Sequence, residues 1–288
     1  MRSEAEMMAL ILQVGQNLPE VEAVALGGSR ANVNVPKDCF QDYDVVYFVK
    51  DKEKLLADRS WLQDFGQILI QQTPEEMSLF PPSLGERFTF LMLFEDGNRI
   101  DLMLCPLTSI AQWQKEEPFS KVLWDPNGLL KEVSQPSDKT FWLDKPTEAQ
   151  FQDCCNEFWW VSTYVVKGLW RKEYYYATDH LYEVCQKELR RLWRWQVGSD
   201  SHWQQSLGKN DKYLFTQLSQ PKLDLAMATA DFSNFEGVWQ SLVATQKFFH
   251  QGALIFAKKN QYHYDEKTAI NVLDYTKQWY DKFKNDKF

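Results

Sequence analysis

Val21-Glu22-Ala23-Val24-Ala25-Leu26-Gly27-Gly28-Ser29-Arg30, followed twelve residues later by Asp42-Tyr43-Asp44-Val45-Val46, is the stretch from which the fold of this chain is read. Val21 to Leu26 is a short strand that runs straight into a corner of small residues. Tyr43 to Val49 is rich in β-branched and aromatic residues and reads as a second strand. Side chains alternate across a strand, so Asp42 and Asp44 share one face while Tyr43 and Val45 take the other. Two carboxylates on one face can jointly hold a divalent cation, and magnesium suits such hard oxygen donors together with substrate phosphates. Asp-x-Asp alone is also what a solvated strand end looks like. The corner resolves part of that ambiguity, because glycine lets backbone N–H groups approach a phosphate and Ser29 adds a hydroxyl. No Gly-Lys-Ser/Thr follows, so it is not a P-loop, and its spacing is not that of a dinucleotide fingerprint. Arg30 is a candidate triphosphate contact, with an idle surface arginine as the alternative.

A third carboxylate stands downstream. In Arg99-Ile100-Asp101-Leu102-Met103-Leu104 an acid interrupts an apolar strand, where a charge is costly unless paired or coordinated. The preceding strand, 88–95, reaches it through Asp96-Gly97, a strong hairpin signal. If this strand neighbours 43–49, Asp101 approaches the other two acids and can accept the proton of an attacking hydroxyl. The alternative is an edge-strand acid paired with Arg87 or Arg99.

Outward from these motifs the organisation is α+β. Apolar residues from Met7 to Leu18 recur at helical spacing, predicting a helix over 3–18, and 53–65 reads as another. From about Thr147 the pattern becomes helical throughout, over 148–173, 178–196, 234–259 and 265–284. Pro126, Pro136 and Pro146 mark a linker at 126–146. We therefore expect an N-terminal domain, 1–140, with a small mixed sheet and flanking helices, and an all-helical domain, 141–288, that completes a cleft. A chain of 288 residues has ample length for two cores.

With 40 acidic and 32 basic residues the net charge is -8, and no Lys/Arg run offers a local patch for a phosphate backbone. Nucleic acid is thus not an expected partner. A cationic small molecule suits that balance, as does plain solubility. Five cysteines without a CxxC pair read as reduced, structural thiols. His180, His202, His250 and His263 form no zinc-like pattern, and tryptophans such as Trp159, Trp160, Trp193 and Trp195 fall at helical spacing as core residues do. The acidic start and the lack of a long apolar run predict a soluble, cytoplasmic protein without a membrane partner.

Taken together, the corner, Asp-x-Asp and the later strand acid resemble the polymerase-β-like nucleotidyltransferase superfamily. More closely, Phe40-Gln41-Asp42-Tyr43-Asp44, Leu93-Phe94-Glu95-Asp96-Gly97-Asn98 with Asp101, and Cys154-Cys155-Asn156-Glu157-Phe158-Trp159 running on to Ser162-Thr163-Tyr164-Val165-Val166-Lys167-Gly168 resemble the aminoglycoside 6-adenylyltransferases. The similarity runs from Met1-Arg2-Ser3-Glu4 to at least Asp179-His180-Leu181. It implies a nucleotidyltransferase domain followed by a helical one, magnesium at Asp42 and Asp44, Asp101 as base, ATP as donor, and the 6-hydroxyl of streptomycin as acceptor, with antibiotic resistance as the outcome. Gly28, Ser29, Arg30 and Lys167 are the expected nucleotide contacts. Planar guanidinium groups such as those of streptomycin are held best by carboxylates, and Glu157 and Asp179 are the expected acceptor contacts, with ordinary helix-surface roles as their alternative. Lys167 stands one residue before Gly168, near an expected helix break. One departure bears on acceptor preference: members often carry Glu where this chain has Gly27. Other readings are adenylylation of a different hydroxyl compound, such as a lincosamide, and a non-catalytic nucleotide-binding or antitoxin-like regulator.

Overall fold

A computed structural model describes residues 1–32, 35–117, 119–131 and 138–285. By its internal contacts the chain divides into two compact units, Met1–Asp138 and Lys139–Phe288. The linker expected at 126–146 falls in part on residues 132–137, outside those described.

The first unit is built on a mixed sheet of six strands, β1 (Val21–Leu26), β2 (Tyr43–Val49), β3 (Ile68–Gln72), β4 (Phe88–Phe94), β5 (Arg99–Pro106) and β6 (Lys121–Trp124), in the order β3-β4-β5-β2-β1-β6. β2 and β5 are parallel, and every other pair is antiparallel. The sheet separates two apolar clusters. On one face Tyr43, Val45, Tyr47, Ile100 and Leu102 pack with Met7 and Ile11 of α1 (Glu4–Asn17). α1 starts where Ser3 and Glu6 cap each other reciprocally, and it is tied to β2 by the Tyr47 hydroxyl donating to the Ile11 carbonyl at 2.6 Å. On the other face Val46, Phe48 and Cys105 meet Trp113 of α4 (Ile110–Glu116), the Phe48 and Trp113 rings edge-on at 5.0 Å. That second face also carries Asp42, Asp44 and Asp101, one step along the same alternation.

Two strands go beyond the sequence reading. β3 is Ile-Leu-Ile-Gln-Gln at a sheet edge with Leu69 to Gln72 exposed, so it shows no alternation, and β6 has only four residues. The helix expected over 53–65 is two pieces, α3 (Lys52–Ala57) and a 3₁₀ segment, Ser60–Phe65. Asp58 breaks it, its carboxylate accepting the Ser60 N–H at 3.0 Å and starting a new turn. A one-turn helix, α2 (Gly28–Ala31), follows β1.

The second unit is helical: α5 (Glu148–Trp170), α6 (Tyr174–Asp179), α7 (Gln186–Asp200), α8 (Gln220–Met227), α9 (Phe235–Asn260) and α10 (Glu266–Asn285). Thr147 and Gln150 form the capping box that opens α5. Phe158 of α5 stacks on Phe249 of α9 at 3.7 Å, within a core that includes Phe151, Trp159, Leu189 and Phe256. The helix expected over 178–196 is longer, with α6 and α7 joined through a wide π-helical turn, His180–Cys185. Trp159 and Trp193 are buried as expected. Trp160 is not: it is 61% exposed, and its indole N–H donates to Tyr164. Among the described residues no helix is long and apolar enough to cross a membrane.

Candidate metal and nucleotide site

The parallel pairing of β2 and β5 sets Asp44 directly opposite Asp101, with Asp42 two residues before Asp44 on the same face. The carboxylates of Asp42, Asp44 and Asp101 each place an oxygen within 4.8 Å of the others. β5 is an interior strand between β4 and β2, so Asp101 is not the edge-strand acid of the alternative reading. Its pairing with Arg99 is real: the guanidinium grips both carboxylate oxygens at 2.7 and 2.8 Å, and reaches Asp42 at 4.0 Å. Arg87 is engaged elsewhere, with Glu116.

Three carboxylates at this spacing leave the site short of positive charge. Burial, and after it the charges of Asp42, Asp101 and Glu117, push the Asp44 carboxyl up to about 7 from its ordinary 3.8. All the donors are hard oxygens, which fits magnesium or another divalent cation. Chemically, the arrangement can hold a cation between two strand ends and leave a carboxylate for proton transfer.

The glycine corner closes over this site. β1 ends beside the start of β2, where the Gly27 N–H donates to the Asp44 carbonyl at 2.8 Å. Gly28 has φ +62°, and a Cβ there would stand 1.8 Å from Asp44 Oδ2. Only glycine supplies both the left-handed backbone and the clearance. Gly28→Ala is accordingly expected to displace Asp44, lowering kcat/KM about 10- to 100-fold. Steady-state kinetics beside a melting curve check this, and a variant of parental activity would show that the close approach is dispensable.

Arg30 is turned toward the segment that enters β2. Its side chain is only 10% exposed, donates to the carbonyls of Asp42 and Gln41 at 2.9 and 2.7 Å, and lies 3.8 Å over the Tyr43 ring. It clamps the segment entering β2, so the idle surface role does not describe it. Ser29 stays near Gln41, whose amide reaches its hydroxyl at 3.5 Å. The other Gln41 amide atom, Oε1, is buried without a partner among the described residues.

Sequence reasoning missed Glu117. At the end of α4 its carboxylate accepts the Gly28 N–H, and burial raises its proton affinity. Gln-Lys-Glu-Glu reads as a solvated helix end, and only the packing of α4 against the sheet brings it to the corner.

The remaining expected residues belong to the helical unit. Lys167 holds its ammonium 4.6 Å from the ring of Tyr164 and 5.3 Å from that of Tyr176. The helix break expected near Gly168 falls at the end of α5, after Trp170. Glu157 is exposed and lines a cleft of about 950 Å³ with Asp153, Tyr182, Arg190, Arg194 and Trp195. Asp179, exposed at the end of α6, is not among the residues lining it. Four of the five cysteines are buried and Cys39 is exposed, all as free thiols.

Known proteins are similar to this chain along nearly its whole length. A family model described as streptomycin adenylyltransferase matches residues 1–279. An aminoglycoside 6-adenylyltransferase of Bacillus subtilis is 39% identical over 267 residues, covering 92% of this chain and 94% of that one. One of Campylobacter jejuni is 37% identical over 282 residues, covering 97% and 98%. The crystal structure of an aminoglycoside 6-adenyltransferase from B. subtilis aligns over 97% of this chain and 99% of the other, at 35% identity and a TM-score of 0.48. The protein is an enzyme of the nucleotidyltransferase class. It belongs to the streptomycin adenylyltransferase family.

Proposed function

We propose that the chain transfers AMP from ATP to the 6-hydroxyl of streptomycin, and thereby confers resistance to that antibiotic. The observation that carries this reading is the convergence of Asp42, Asp44 and Asp101 beside the Gly27-Gly28-Ser29 corner. The acceptor oxygen attacks the α-phosphorus in line, the new O–P bond forms as the bond to pyrophosphate breaks, and Asp101 takes the hydroxyl proton. Asp42 and Asp44 would hold magnesium, which when bound neutralises phosphate charge and orients the nucleotide. Ser29 presents its N–H and hydroxyl to the phosphates, Gly28, whose own N–H is taken by Glu117, leaves the backbone clear for their approach, Arg30 fixes the corner against β2, and Lys167 adds a cation for the nucleotide. Glu157 and Asp179 supply carboxylates for the acceptor's guanidinium groups.

Pyrophosphate release from ATP, magnesium and streptomycin tests this directly, with mass spectrometry locating the added AMP. Release that requires another hydroxyl compound, or none at all, overturns the acceptor assignment.

Charge pairing in a wet cleft also has a signature. The KM for streptomycin is expected to rise with ionic strength. Glu157→Gln should raise it about tenfold while leaving the KM for ATP nearly unchanged. Equal effects on both substrates would remove Glu157 from the acceptor site.

A further inference from the structure

Asp101 carries a burden that the proposed chemistry does not by itself explain. A base needs its full proton affinity toward the incoming hydroxyl, yet both Asp101 oxygens are held by one guanidinium, at 2.7 and 2.8 Å, which favours the ionised form. Arg99 and Asp101 are two residues apart on one strand, so their side chains share the face that also carries Asp42 and Asp44. The same guanidinium stands 4.0 Å from Asp42, so a single cation lies against two of the three acids. The Arg99 side chain is 47% exposed while that of Asp101 is 18% exposed. The arginine can therefore leave toward solvent, whereas the acid cannot. A forked Arg–carboxylate pair is among the stronger side-chain contacts, and it uses one lone pair of each oxygen.

We propose that Arg99 is a latch on the metal site: it stands in for the cation in the resting enzyme and gives up Asp101 when a divalent metal binds. This rests on the reading of Asp42 and Asp44 as metal ligands. Without the latch three acids within 4.8 Å would repel one another and splay. With it they stay aligned, and the metal must displace a guanidinium to enter. Arg99 is thus a positioning residue, acting through Asp101.

The test is binding of manganese(II) followed by electron paramagnetic resonance, in the full chain without nucleotide. Arg99→Gln removes the competing charge and is expected to bind manganese about tenfold more tightly than the parent, with Arg99→Lys between them, because a single-point ammonium cannot fork. Asp44→Asn is the control and should lose the site. Nitrogen-15 spectra of the parent give a second readout: the Arg99 Nε–H, identified by its absence in Arg99→Lys, should exchange slowly without metal and quickly after magnesium is added. If Arg99→Gln binds manganese no more tightly than the parent, while Asp44→Asn abolishes binding, the latch is overturned and the metal site stands. If the parent shows no manganese binding that depends on Asp44, both fall together. An Arg99 Nε–H that stays protected in saturating magnesium also overturns the latch.

Discussion

Asp44→Asn is expected to lower the transfer rate by about 10³-fold or more while making the metal-free protein harder to melt near neutral pH. Loss of activity with a gain in stability is the mark of a group kept for function at a structural cost. In the folded chain, burial and the neighbouring acids push the Asp44 carboxyl up to about 7. A carboxyl raised in this way contributes stability that is complete below its unfolded value, near pH 4, and is withdrawn as pH rises toward 7, because ionisation is resisted only in the folded state. An amide never ionises. Without metal, Asp44→Asn should therefore melt a few degrees above the parent at pH 7.5–8, the gap closing as pH falls toward 4. Solvent still reaches part of Asp44 and keeps the gap small. Magnesium should raise the melting temperature of the parent and leave that of Asp44→Asn unmoved, and a chelator should return the parent to its metal-free value and stop transfer. A variant that keeps parental turnover in magnesium removes Asp44 from the metal site.

How much of this was legible beforehand depends on the range of the interaction. The Asp42 and Asp44 pair is written in strand alternation, a local rule, and the Asp96-Gly97 hairpin is equally local, with Gly97 at φ +83° closing the turn between β4 and β5. The placement of Asp101 required one step more, that its strand lie beside β2, and an acid inside an apolar strand was the signal for it. Beyond that range the sequence is silent. Arg30 turned inward because the carbonyls of Gln41 and Asp42 and the face of Tyr43 were within its reach, which no property of position 30 announces. Glu117 arrives from 89 residues downstream of Gly28. Edge strand β3 has an even apolar start and two glutamines, and its exposure on both faces erases the alternation by which strands are recognised. In the helical unit the period of the apolar residues located the long helices. The π-turn at His180–Cys185 left no comparable mark, because it widens one turn without changing which residues are apolar.

Asp101→Asn separates the two jobs a third carboxylate can do. If it is the base, kcat should fall about 10²- to 10⁴-fold, with the KM for ATP and the affinity for magnesium changed far less. The amide keeps the size of the side chain and one acceptor for the Arg99 fork, so Asp42 and Asp44 should stay in place and still gather the cation. A metal ligand predicts another pattern. Turnover would then recover as magnesium is raised toward saturation, and the loss would sit in the metal activation constant. The distinction also reaches Arg99. A base gains proton affinity when it is released from its guanidinium, whereas a ligand needs that release only for the metal to enter. Adding Arg99→Gln to Asp101→Asn should therefore change turnover little if Asp101 is the base, since an amide leaves the latch nothing to free, and measuring kcat for the two single variants and the double variant decides it.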